Sequence, residues 1–173
     1  MKTIRLFGLG VITASFLTVT AMAQQPPKPG PEHSQLKKME GTWDTTMKME
    51  GKEEKGVATF KMDVNGLWLY STFDGTMGGE KFSGRGFDSY DQEKKKFTGV
   101  WVDSMSTTPM VFEGTYDPAS KAKTMLTEGP GMDGPKTKYR MVTKMTDDNT
   151  MNFAMYMGNA KEPNFTIVYK RKK

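Results

Sequence analysis

From Thr42 almost to the end of the chain, apolar and polar residues alternate with a period of two, and no other feature restricts the fold as tightly. Trp43, Thr45, Met47 and Met49 share one face, and Asp44, Thr46, Lys48 and Glu50 the other, as in a strand with one buried and one wet side. Phe60, Met62 and Val64 mark a second strand. Leu67, Leu69, Ser71 and Phe73 mark a third, whose opposite face is also apolar through Trp68 and Tyr70. Further alternating runs are centred on Phe82 to Tyr90, Phe97 to Met105, Met110 to Tyr116, Lys123 to Glu128, Thr137 to Met145, Met151 to Met157 and Phe165 to Tyr169. The pattern predicts about ten strands.

The connections between these runs are hairpin turns. YDQEKKKF from Tyr90, YDPASKAK from Tyr116 and TDDNT from Thr146 are compact and polar, and short connections make consecutive strands antiparallel neighbours. A flat meander of that length would leave two long edges unpaired, and closing the sheet removes them. The expected fold is therefore all-β: an antiparallel up-and-down β-barrel of about ten strands. A short helix over EHSQLKKME, started at Pro31 and ended at Gly41, is expected to lie across one end.

The segment before that helix reads differently. Residues 1–23 carry Lys2 and Arg5, then an apolar stretch through Val19, then Ala21, Met22 and Ala23, the order of a secretory signal peptide. The apolar stretch is short of the roughly 20 residues a bilayer span needs, and no later stretch approaches it. The expected mature chain is exported, to the periplasm or the exterior. It begins with a Pro-rich linker, residues 24–31, and continues as a single domain over residues 32–173. The chain has no cysteine, so disulfides, thiolate metal sites and lipid attachment at cysteine are excluded. The basic excess gathers in KRKK at Lys170 to Lys173, read as a solvated chain end. No basic stripe interleaved with aromatics suggests a nucleic-acid partner.

The blocks PGPEHSQLKKMEGTWD, GRGFDSYDQEKKKFTGVWVDSM, EGTYD and DDNTMNFAMYM, in that order, resemble a bacterial family of exported proteins known as domain of unknown function 1579. The resemblance runs from about Pro29 to Lys170. It implies a lipocalin-like (calycin-like) barrel, in which Gly-x-Trp, here Gly41, Thr42 and Trp43, opens the first strand. It implies no reaction.

Phase along the strands selects the candidate functional residues. Trp43 points inward with Met47 and Met49, either closing the narrow end or lining the floor of a cavity. The inward set is rich in methionine, whose unbranched thioether adapts to varied apolar shapes. Asp103 shares the phase of Phe97 and Trp101, and a carboxylate there needs a partner: Arg85 or Arg140, or else water at the barrel mouth. The leading reading is binding of a small, mostly apolar ligand, with Trp43, Trp101, Asp103, Met110, Phe153 and Met155 as contacts and no cofactor. An envelope interaction module using the Trp68 and Tyr70 face is the alternative. A lesser one is Cu(I) held by Met47 with Met49 or Met155 with Met157.

Catalysis has little support in the residues. His33, the one histidine, lies in the helix and is expected to be solvated, and no nucleophile motif accompanies it. Asp88, Asp91 and Glu93 are read as turn acids and not as a hard-cation site, because they lack a calcium-loop pattern.

Overall fold

The structure, a computed structural model, describes residues 26–130 and 136–173. The expected signal peptide lies outside the described residues. The alternation becomes ten strands: β1 (Gly41–Met49), β2 (Lys52–Asp63), β3 (Trp68–Met77), β4 (Glu80–Asp91), β5 (Lys96–Asp103), β6 (Met110–Asp117), β7 (Ala122–Pro130), β8 (Lys136–Asp147), β9 (Thr150–Met157) and β10 (Phe165–Arg171). Each pairs antiparallel with its neighbour in sequence, and β1 pairs with β10, so the sheet closes into a barrel. Closure satisfies the backbone groups that an open meander would leave at its edges. One inward assignment fails: Val64 lies in a 3-10 turn after β2 and is exposed, because the chain leaves the ladder at Asp63.

The two ends of the barrel differ. The turns at 64–67, 92–95, 118–121 and 148–149 lie at one end, and the two-residue turns 50–51 and 78–79 lie with the longer connections 104–109 and 158–164 at the other. Helix α1 (His33–Lys37) belongs to the first of these ends, where Leu36 and Met39 are buried in the core. His33 is not solvated as expected. It is 3% exposed, packs edge-on against Tyr90 of β4, and its Nδ1 accepts from the Gly30 N–H at 3.0 Å, which leaves the proton on Nε2.

The same end explains Gly41, Thr42 and Trp43. The indole of Trp43 is fully buried and donates to the Met39 carbonyl at 2.9 Å. Arg171, directly opposite it on β10, lays its guanidinium over the indole at 4.1 Å. The guanidinium also donates to the carbonyls of Lys38, Glu40 and Asp148. Gly41 has φ of +125°, and a Cβ there would press on that guanidinium. Only glycine suits both the backbone and the clamp. Arg171 is thus part of a structural lock and not of a solvated tail, because its side chain ties the carbonyls of Lys38 and Glu40, between helix and β1, to that of Asp148 in the turn after β8.

Candidate functional site

The barrel encloses a cavity of about 300 Å³, at the lower end of the roughly 300–1,000 Å³ typical of small-molecule sites. Its lining is mostly methionine and aromatic. It reaches the surface at the end away from the helix, where Met105 both lines it and is 67% exposed.

Space exists there because large rings lie against the wall. Trp101 on β5 packs over β4 at Gly84 and Gly86, which point inward and have no side chains to obstruct it. A Cβ on Gly84 would fall inside the indole. Phe112 sits in the same way over Gly99, and Met125 over Gly114. Asp103 holds the Trp101 ring in place: Oδ2 accepts from Nε1 at 3.0 Å, and Oδ1 accepts from the Met105 N–H at 2.9 Å. Substituting Gly84→Ala is therefore expected to swing the indole into the lumen, lower stability by about 1–3 kcal/mol and shrink the cavity. Denaturant unfolding and a crystal structure of the variant check both effects.

Five of the six residues singled out from the sequence, Trp101, Asp103, Met110, Phe153 and Met155, line this one cavity. Trp43 does not. It lies beneath the floor, so of the two roles left open for it the structure supports closure. Of the alternatives left open for Asp103, neither arginine pairs with it. Arg85 points outward to Asp74 at 3.1 Å, and Arg140 lies over the Tyr156 ring at 3.7 Å. The Trp101 indole takes the place of that partner.

Sequence reasoning missed the main polar feature of the lumen. Asp88 on β4 and Lys123 on β7 form an ion pair at 3.2 Å across the helix side of the cavity, and Lys123 is only 8% exposed. The two strands are not neighbours, so the pair links walls separated by β5 and β6. Between them lies Phe97, whose ring centroid is 5.9 Å from the ammonium. Asp88 is thus not a turn acid. The turn belongs to Asp91, whose carboxylate accepts from the N–H groups of Glu93 and Lys94. Phase held the missing signal, since Asp88 aligns with Gly84 and Gly86, and Lys123 with Met125 and Thr127. Lys123, Met39 and Thr143 also line a second cavity of about 240 Å³ beneath the helix, so they stand in the partition between the two.

Other groups complete the picture. Burial pushes the Tyr169 phenol far above its ordinary pKa, so at the cavity wall it is a neutral hydroxyl. Met47 and Met155 face the lumen from β1 and β9, with β10 between these strands. Among the described residues, no three His, Asp or Glu side chains gather to hold a metal ion. On the outside, Tyr70 stacks against Phe87 at 5.1 Å, and Phe87 remains 39% exposed.

No curated protein matches the chain. Among solved structures, one described as a redesigned beta barrel is similar, with a TM-score of 0.43 and 16% identity, over 80% of this chain and 95% of that one. The profile of a family described as "Protein of unknown function (DUF1579)" matches residues 28–171, which takes in every strand of the barrel. The blocks around Trp43, Gly84 to Met105 and Asp147 to Met157 thus lie within one continuous match, and the chain belongs to the DUF1579 family.

Proposed function

We propose that the barrel binds a small, mostly apolar molecule in its lumen. The observation that carries this reading is the cavity itself: glycines on the inner wall hold Trp101 and Phe112 aside, so the large side chains do not fill the space they enclose. A lumen packed for stability alone would close such a void, since unfilled volume forfeits dispersion contacts. The Met-rich lining suits a ligand recognised by shape and apolarity more than by many directed bonds.

Native mass spectrometry of protein purified without detergent tests the reading. The expected result is retained organic mass, or one-to-one uptake of the neutral apolar dye Nile red by empty protein. An empty chain that also refuses the dye contradicts it. Retained copper would instead favour the thioether site on Met47 or Met155.

We also propose that the protein is exported, on the strength of Lys2, Arg5, the apolar stretch behind them and the Ala21-Met22-Ala23 sequence. Amino-terminal sequencing of the mature protein is expected to begin at Gln24. A second reading, an envelope interaction module, is favoured by exposed Phe87, Val102, Val111 and Leu126 on the outer faces of β4 to β7.

A further inference from the structure

Given an apolar ligand in the lumen, the polar groups of the lining restrict its head group. Asp103 is committed to the wall, since each of its oxygens accepts a hydrogen bond that fixes Trp101 or the backbone at Met105. The Asp88 and Lys123 pair is different. A single hydrogen bond joins them, from Nζ to Oδ1, and among the described residues neither side chain makes another. Two ammonium hydrogens and the second carboxylate oxygen therefore carry no hydrogen bond to a described residue, on side chains that line the cavity.

This pair carries no net charge. A ligand carboxylate placed there would meet Lys123 favourably and Asp88 unfavourably, and a ligand ammonium would meet the reverse. Either would also bring an uncompensated charge out of water into an apolar enclosure. A neutral group that both accepts and donates matches both partners at once: its oxygen takes a hydrogen from Lys123, and its hydrogen goes to Asp88. We propose that the ligand is an amphiphile with a hydroxyl or primary amide head, seated between Asp88 and Lys123 on the helix side of the cavity. Its apolar body then lies along the Met and aromatic lining toward the opening at Met105.

The inference rests on the reading of the lumen as an apolar ligand site, and the test separates the two. Nile red bound to the full chain at pH 7 is displaced with 1-decanol, decanoate and decylammonium, which share a chain and differ in the head. Decanol is expected to displace the dye at concentrations about tenfold lower than either charged analogue. Substituting Asp88→Asn leaves Lys123 without its counter-charge, and the order is expected to shift toward decanoate.

Equal displacement by all three, or preference for a charged analogue by the unmodified protein, overturns the head-group assignment and leaves the apolar site standing. An order unchanged by Asp88→Asn, in a variant whose circular dichroism matches the parent, overturns the assignment as well. Failure of the dye and of all three amphiphiles to bind overturns the cavity reading itself. The comparison on the unmodified chain decides the matter even where a variant does not fold.

Discussion

Substituting Lys123→Met lowers the stability of the barrel by about 3–5 kcal/mol in denaturant unfolding at neutral pH, because it strands the Asp88 carboxylate in an apolar lumen without its counter-charge. Both partners are well shielded, with 10% of the Lys123 side chain and 15% of the Asp88 side chain exposed, so solvent screening does little to soften the loss. The companion experiment replaces both partners, Lys123→Met with Asp88→Leu. That variant is expected to recover most of the lost stability, since two apolar side chains carry no unmet charge. A single-variant loss below about 1 kcal/mol would mean that water from the cavity beneath the helix hydrates the pair, as at an exposed ion pair.

The lock at the helix end predicts a loss of similar size. Substituting Trp43→Ala is expected to cost about 3–5 kcal/mol, combining the lost burial of a fully enclosed indole with the void it leaves. It also removes the donor to Met39 and the surface on which Arg171 lies. Substituting Trp43→Phe keeps much of the apolar contact and isolates the polar part, with an expected loss of about 1–3 kcal/mol from the unmet Met39 carbonyl. Arg171→Met should fall between the two, because it frees carbonyls at the end of α1 without opening a large void. Equilibrium unfolding in guanidinium chloride checks the order. If Trp43→Ala is no worse than Trp43→Phe, the indole is not what closes this end.

The barrel was legible in the sequence because a closed antiparallel sheet has one buried and one wet face, which writes a period of two along every strand. That same period placed Trp101, Asp103, Met110, Phe153 and Met155 on a common interior. It could not separate Trp43 from them, since strand phase gives direction and not depth. The errors come from charge. Residue type puts Asp88 in a turn and His33 and Arg171 in solvent, yet each is held inside or against the core by a partner far away in sequence. Lys123 lies 35 residues from Asp88, and Arg171 lies 133 residues from Lys38. Such pairs form only once the barrel has closed. Gly84 and Gly86 were visible from the start, but their purpose depends on a ring supplied by the next strand.

If apolar molecules enter the lumen, the methionines that line it sense them. With carbon-13 in the methionine methyl groups, a titration with 1-decanol followed by proton–carbon NMR is expected to shift Met110, Met125, Met141, Met151 and Met155 together, saturating at one equivalent. Met62 and Met157, which do not line the cavity, should stay in place. Lumen signals that remain fixed while Met62 or Met157 move would contradict the account.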